Sequence, residues 1–214
     1  MLADALRSVP RPIASDERLM PRQVVASVAD PAPRRPSPPS ATKARAAATL
    51  LLLYPGPDGE LTVPLTVRQP DLRTHAGEVS LPGGAVELGD GTPQAAALRE
   101  AWEEVGVEPE AVRMLGSLDA VWIPVSNFQL RPFVGASEER PDLVPHTGEV
   151  AAIVELPVRL LLRPEAIVER LIDGPGWSLH AGAYLHADQV IWGATARTLG
   201  MFATVLRHAT DRAG

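Results

Sequence analysis

The sequence contains no cysteine among its 214 residues. Disulfides, thiolate zinc sites, iron–sulfur clusters and cysteine nucleophiles are therefore excluded. An excess of basic residues is also missing, because 20 Lys and Arg stand against 26 Asp and Glu and the formal net charge is -6. A protein that binds nucleic acid or an anionic membrane through a basic face is therefore not expected.

Long hydrophobic runs are missing too. The longest strongly apolar run, Ala46 to Tyr54, is far shorter than the roughly 20 residues of a transmembrane helix. The N-terminus carries Asp4 and Arg7 and lacks a basic segment followed by an apolar one. We therefore expect a cytoplasmic protein without a membrane partner. Aromatic residues make up only 4% of the chain, but the apolar fraction of 45% is sufficient for a sizeable core.

Two regions are predicted along the chain. Residues 1–44 are expected to form a helical and proline-rich extension that packs on, or leads into, a main domain at residues 45–214. Short helices are predicted in the extension at Leu2–Val9 and Pro21–Ala29. The proline-rich stretch Pro31 to Pro39 follows them and is expected to be extended or a loop.

The main domain is predicted to mix strands and helices. Apolar or β-branched runs predict strands at Ala46–Tyr54, Leu61–Arg68, Met114–Trp122, Leu130–Val134 and Val150–Val154. Helices are predicted at Thr92–Val105, Pro157–Leu162, Glu165–Ile172 and Trp192–His208. Pro64 suggests an edge position or a bulge in its strand. The irregular order of the elements indicates an α+β fold or a three-layer α/β/α arrangement.

The helix at Thr92–Val105 carries three glutamates on one face, because Glu100, Glu103 and Glu104 have i, i+3, i+4 spacing. Like charges at this spacing destabilise a helix by about 0.2–0.5 kcal/mol. A divalent cation would reverse the sign of that interaction. Taken alone, the triplet is more simply a solvated acidic face, and the preceding Pro82-Gly83-Gly84 is more simply an ordinary turn.

The two features together resemble the Nudix box, written G-x5-E-x7-R-E-U-x-E-E-x-G-U with U aliphatic. The matching residues are Gly84, Arg99, Glu100, Ala101, Glu103, Glu104, Gly106 and Val107. The sequence departs from the box in having Asp90 at the first acidic position and eight residues before the arginine. An extra residue is easier to absorb before the helix than inside it, where it would rotate the face by about 100°.

The resemblance implies a Nudix-type α/β/α sandwich with a mixed β-sheet and a catalytic loop-helix-loop. It also implies metal-dependent hydrolysis of a nucleoside diphosphate linked to another moiety. Glu103 and Glu104 would be the principal ligands of Mg²⁺ or Mn²⁺, and Glu100 and the carbonyl of Gly84 would add further ligands. Arg99 would orient Glu103 through a salt bridge.

The box does not identify the general base. Glu149, just before the strand at Val150, is the candidate for a base or a later metal ligand, and an ordinary loop glutamate is an equally good interpretation. A proton-transfer role for His146 is conceivable, but a solvated or structural histidine is the simpler interpretation. Trp102 is expected to face away from the glutamates and to pack against the sheet.

The stretch before the box is similar to the signature of coenzyme A pyrophosphatases, L-L-T-x-R-S-x3-R-x3-G-x3-F-P-G-G. The matching residues are Thr66, Arg68, Arg73, Gly77, Pro82, Gly83 and Gly84. The signature's first Leu, its Ser and its Phe are replaced by Pro64, Gln69 and Leu81. The similarity implies that coenzyme A is the substrate and is cleaved to 3′,5′-ADP and 4′-phosphopantetheine.

Arg68 and Arg73 are expected to bind this substrate beside Gly83 and Gly84, because coenzyme A carries a 3′-phosphate in addition to its diphosphate. Ion pairs with nearby acids such as Asp71 are the alternative role for the arginines. Two further functions are open: a Nudix pyrophosphatase for ADP-ribose, dinucleotides or nucleoside triphosphates, and a Nudix-like binding module without catalysis. Such modules usually lose a metal-binding glutamate, whereas all three are present here.

Overall fold

A computed structural model of the chain describes residues 1–24, 43–71, 77–146, 148–174 and 177–212. The helices are α1 (Leu2–Ser8), α2 (Pro93–Val105), α3 (Val158–Leu161) and α4 (Gly193–Asp211). The strands are β1 (Arg22–Val24), β2 (Arg45–Pro55), β3 (Leu61–Arg68), β4 (Val79–Ser80), β5 (Gly83–Ala85), β6 (Arg113–Ser117), β7 (Val121–Ile123), β8 (Phe128–Ala136), β9 (Val150–Pro157), β10 (Ile167–Gly174), β11 (Trp177–His186) and β12 (Gln189–Ile191). None of the helices in these ranges has the length and apolar character needed to cross a membrane.

The strands form two sheets. The larger sheet has the order β4-β3-β2-β8-β6, with β5 paired to β2, β7 to β8 and β9 to β3. It is mixed, because β2 and β8 run parallel while the other pairs are antiparallel. The smaller sheet has the order β1-β11-β10, with β12 paired to β11. The mixed sheet confirms the predicted α+β class.

Strand β2 lies at the centre of the larger sheet, and its two faces are covered by different helices. Leu50 packs in one apolar cluster with Ala97 of α2. Its neighbour Leu51 points to the opposite face and belongs to the cluster that contains Phe202 of α4. A strand that is buried on both faces reads as a continuous apolar run. The helices on both sides of β2 give the expected α/β/α layers, and the predicted strand Ala46–Tyr54 is confirmed.

Helix α2 begins and ends where local sequence chemistry predicts. The Thr92 side chain accepts a hydrogen bond from the Ala95 N–H, and Pro93 occupies the first helical position. Gly106 ends the helix in the left-handed conformation at φ 74°, which a glycine adopts without a Cβ clash. The helix predicted at Thr92–Val105 is confirmed.

Three predictions of secondary structure were wrong. Glu165–Ile172 is not a helix, because β10 runs antiparallel to β11 from Ile167 onward. The β-branched side chains of this segment suit a strand once such a partner is present. Pro21–Ala29 is not a helix at its start, because β1 also pairs with β11. The rest of that segment and Pro31 to Pro39 lie outside the described residues. Met114–Trp122 divides into the two strands β6 and β7.

Pro64 occupies the centre of β3, opposite Glu155 of β9. It lies between the stretches in which β3 pairs with β2 and with β4. The bulge in β3 occurs further along, between Val67 and Arg68. A proline is compatible with this place because its missing N–H removes only one ladder position.

The first residues of the chain pack against the main domain. Leu6 of α1 is 2% exposed and belongs to the same apolar cluster as Phe202. Arg11 Nη1 donates to Asp119 Oδ1, and the Ile13 N–H donates to Asp119 Oδ2, both at 2.5 Å. The division of the chain at residue 44 stays a prediction.

Replacing Leu6 with alanine is expected to lower the free energy of unfolding by about 2–4 kcal/mol, because a buried leucine is removed from the main core. Urea unfolding of the full chain measures this change. Arg7→Ala on the same helix is the control, since Arg7 is exposed and its ion pair with Asp4 contributes about 0–1 kcal/mol. Equal stability of the two variants would show that α1 is not part of the cooperative core.

Candidate active site

Gly83 and Gly84 form the strand β5 against β2, so the Pro-Gly-Gly sequence is not an ordinary turn. A Cβ atom on Gly83 would overlap the carbonyl oxygen of Ala48 in β2. A Cβ atom on Gly84 would overlap the carboxylate of Glu100 in α2. The glycines therefore permit the backbone of β5 to lie in contact with both the sheet and the carboxylate helix.

Glu104 is the most buried of the three glutamates, with 6% of the residue exposed. The Gly83 N–H donates to its Oε2 at 3.1 Å. Burial raises the pKa of this carboxyl to about 7, and repulsion from Glu100 and Glu149 adds to the rise, whereas the Gly83 N–H and the charge of Arg68 oppose it. At neutral pH the group therefore binds a proton more readily than an exposed glutamate does. A cation would favour its ionised form.

Arg99 joins the helix to the loop before it. Its guanidinium donates to Asp90 from Nε at 2.7 Å and from Nη2 at 3.2 Å. It also donates to Glu103 at 2.8 Å, to Glu100 at 3.0 Å and to the Ala85 carbonyl at 3.2 Å. The salt bridge to Glu103 that the resemblance implied is present. The positive charge of the Arg99 guanidinium thus offsets the repulsion among several carboxylates.

The residue that is extra relative to the Nudix box falls between Asp90 and Arg99. Asp90 ends a short 3-10 turn at Leu88–Asp90, and Gly91 at φ 69° leads to the cap residue Thr92. Helix α2 is continuous through the glutamates. The Arg99 guanidinium holds the pKa of the Asp90 carboxyl below its usual value. Asp90 therefore takes the arginine-binding position without disturbing the helix face.

The three glutamates line one open cavity of about 600 Å³ together with Glu149. Glu149 comes from the segment that follows β8, and a backbone turn fixes its place. The His146 carbonyl accepts from the Glu149 N–H at 3.1 Å and from the Val150 N–H at 2.9 Å. The structure thus brings the candidate base to the carboxylate helix, and its role stays a prediction. His146 itself lines the same cavity.

Arg68 lies near the carboxylates at the end of β3. It is close enough to Glu104 to lower the pKa of that carboxyl. Its Nε is buried and has no hydrogen-bond partner among the described residues, and the ion pairs found in those residues do not include Arg68. A guanidinium with an unsatisfied donor is suited to bind an anion. Arg73 lies outside the described residues.

The prediction for Trp102 was wrong. Its side chain does not pack against the sheet but is 51% exposed and lines the cavity. Consecutive helical residues are about 100° apart, so Trp102 flanks Glu103 instead of facing away from it. Val144 and Pro145 complete this side of the cavity. Sequence reasoning missed them because nothing in their local pattern indicates that this segment lies beside α2.

The donor set fits a divalent metal that is shared with a substrate. Carboxylate oxygens are preferred ligands of hard cations, and Mg²⁺ commonly takes one or two carboxylates together with substrate phosphates. Among the residues described, no three His, Asp or Glu side chains already surround one ion position. Glu100, Glu103 and Glu104 are therefore better suited to a metal that the substrate helps to hold than to a closed protein cage.

Comparisons with known proteins identify relatives of the chain in one family. Residues 44–183 match the model of the NUDIX domain. The chain is 42% identical over 170 residues to the Nudix hydrolase NudL of Klebsiella pneumoniae, covering 76% of this chain and 83% of that protein. It is 37% identical over 175 residues to the mitochondrial Nudix hydrolase 15 of Arabidopsis thaliana, covering 78% of this chain and 60% of that protein. The chain therefore spans about three fifths of the Arabidopsis relative. A crystal structure of the Nudix hydrolase RenU from M. smegmatis matches with a TM-score of 0.49 and 22% identity, covering 79% of this chain and 86% of that one.

Glu104→Gln is expected to stabilise the metal-free protein at pH 8 by about 2–3 kcal/mol. The raised pKa means that Glu104 lowers stability as the pH rises from the unfolded value of 4.5 through the folded value of about 7. Glutamine stays neutral and can still accept from Gly83. The gain should therefore disappear near pH 4. Urea unfolding in EDTA at the two pH values measures it.

Glu103→Gln is the matched control for this measurement, because the Glu103 side chain is about half exposed and bonded to Arg99. It should give no gain at pH 8. If Glu104→Gln also gave none, the burial of an ionised Glu104 would not be a source of instability.

Proposed function

Because the chain belongs to the Nudix family, we propose that it is a metal-dependent hydrolase that cleaves the pyrophosphate bond of coenzyme A. The products are 3′,5′-ADP and 4′-phosphopantetheine. The observation that supports hydrolysis is that α2 and the segment before β9 place four carboxylates in one cavity. The coenzyme A assignment is supported by the sequence stretch that contains Arg68 and Arg73.

Glu103 and Glu104 are the principal metal ligands in this proposal, and Glu100 and the Gly84 carbonyl are further ligands. The cation is Mg²⁺ or Mn²⁺, which lowers the pKa of bound water and neutralises charge on phosphoryl oxygens when bound. Arg99 acts as a positioning residue, since it holds both Glu103 and Glu100 through charge-assisted hydrogen bonds. The Gly83 N–H fixes the Glu104 carboxylate.

Glu149 is proposed as the general base that accepts a proton from the attacking water. It reaches the cavity from a different segment than the metal ligands. The hydrogen bonds of Arg99 to the described residues go to Asp90, Ala85, Glu100 and Glu103 and not to Glu149. The Glu149 side chain is exposed, which leaves it free to exchange the accepted proton with solvent. A general base must lie within hydrogen-bond reach of the attacking water in the substrate complex. The position of Glu149 in the same cavity as the metal ligands is compatible with this requirement.

The phosphate-binding role is assigned to Arg68, together with Arg73 and the backbone of Gly83 and Gly84. Arg68 carries a positive charge beside Glu104 and has an N–H donor that no described residue satisfies. A phosphate oxygen would supply the missing acceptor. Coenzyme A presents three phosphate groups, so a substrate with its 3′-phosphate removed should bind less tightly.

Incubation with coenzyme A and Mg²⁺ or Mn²⁺ is expected to yield 3′,5′-ADP and 4′-phosphopantetheine, identified by mass. Dephospho-coenzyme A, ADP-ribose, a dinucleotide and a nucleoside triphosphate are assayed beside it. Higher kcat/KM for coenzyme A than for these compounds supports the assignment. Intact coenzyme A with efficient cleavage of another diphosphate would overturn the substrate and leave the hydrolase. Metal binding without turnover of any diphosphate would indicate a binding module.

Glu103→Gln is expected to lower kcat by more than about 100-fold, because loss of a direct metal ligand should exceed the roughly 10–100-fold effect of losing its supporting residues. The measurement is the initial rate with the best diphosphate at saturating metal. Glu108→Gln is the control, since Glu108 is an exposed glutamate just beyond the helix. Full activity of the Glu103 variant would refute the site.

A further inference from the structure

The cavity beside the glutamates has an apolar side that the hydrolysis of a diphosphate does not require. Trp102 is 51% exposed and Val144 is 59% exposed, and both line the cavity with Pro145. Large apolar side chains exposed together commonly mark a binding site. Here they line the cavity that also contains the carboxylates, and Trp102 directly precedes Glu103 on α2.

This apolar side is held in place by the backbone. The Val144 N–H donates to the Val105 carbonyl at 3.0 Å, and the His146 N–H donates to the Glu104 carbonyl at 2.9 Å. These carbonyls belong to the last turn of α2, where they have no partner within the helix. The segment therefore packs across the helix end, and the apolar residues have a fixed place relative to the glutamates.

We propose that Trp102, Val144 and Pro145 form the binding site for a planar heteroaromatic base of the substrate, with the base stacked on the indole of Trp102. This inference rests on the proposed function, because it takes the diphosphate of the same molecule to lie at the glutamates. For coenzyme A the base is the adenine of the ADP half.

A base fits this site better than the flexible arm of the substrate does. A tryptophan offers a large and rigid aromatic face, and every nucleobase has a face that stacks on it. A flexible arm would lose more rotamer freedom on binding and has no such face. The cavity volume of about 600 Å³ is within the roughly 300–1,000 Å³ of ligand sites, so one cavity can hold a base and a diphosphate.

The test compares ligands with and without the base. Wild type, Trp102→Ala, Trp102→Phe and Leu88→Ala are titrated calorimetrically with ADP, inorganic pyrophosphate and 4′-phosphopantetheine in the presence of Mg²⁺. Leu88 is fully exposed just before α2 and does not line the cavity, which makes it the matched control. Since Trp102 is half exposed, its removal should leave the fold intact, and thermal unfolding checks this.

Trp102→Ala should raise the Kd for ADP by about tenfold or more, because the base loses the aromatic face on which it stacks. The Kd for pyrophosphate should stay within twofold, Trp102→Phe should lie between, and Leu88→Ala should resemble wild type. An unchanged Kd for ADP, an equal loss for ADP and pyrophosphate, or a loss confined to 4′-phosphopantetheine would overturn the inference. A wild type that does not bind ADP would overturn it too.

These binding data are independent of turnover. If coenzyme A is not cleaved but Trp102→Ala still weakens ADP selectively, the stacking site stands and only the coenzyme A substrate fails. If coenzyme A is cleaved and Trp102→Ala has the KM and kcat of wild type, the proposed function stands and the stacking site fails.

Discussion

The site depends on the guanidinium of Arg99. Three glutamates on one helix face repel one another, and a neighbouring loop aspartate adds a fourth negative charge. Arg99 bonds to Asp90, Glu100 and Glu103, and to the carbonyl of Ala85 as well. A lysine has a single charged nitrogen and cannot join acceptors in so many directions. The arginine therefore fixes both the side chains on α2 and the path of the loop that enters it.

The side chain of the third glutamate, Glu104, is held in position by different contacts. Glu104 is buried, and its hydrogen bond among the described residues comes from the backbone N–H of Gly83 rather than from Arg99. That bond exists because two glycines allow β5 to lie between β2 and α2. The central strand β2 is covered on both faces, so β5 has a rigid support. Burial raises the pKa of Glu104. The ionised carboxylate that a cation would bind therefore lowers the stability of the metal-free fold.

The parts of the structure that sequence predicts are those set by neighbouring residues. The ends of α2 follow from Thr92 and Gly106, and the common face of the glutamates follows from their spacing. Strand β10 could not be predicted from its own residues, because it is a strand only through pairing with β11. That Trp102 and Val144 line the same cavity could not be predicted either, since the two lie in separate segments that only the folded backbone brings together.

Trp102 lies on α2, whereas Val144 reaches the same cavity from a separate segment. The glutamates are fixed by α2, by Arg99 and by Gly83, none of which belongs to the segment that carries Val144. Two backbone hydrogen bonds to helix-end carbonyls attach the segment to α2, and these bonds do not depend on the identity of its side chains. The exposed side chain of Val144 can therefore differ while the carboxylates keep their positions. With the proposed roles, the glutamates act at the pyrophosphate bond, and Arg68, Trp102 and Val144 select the molecule that carries it.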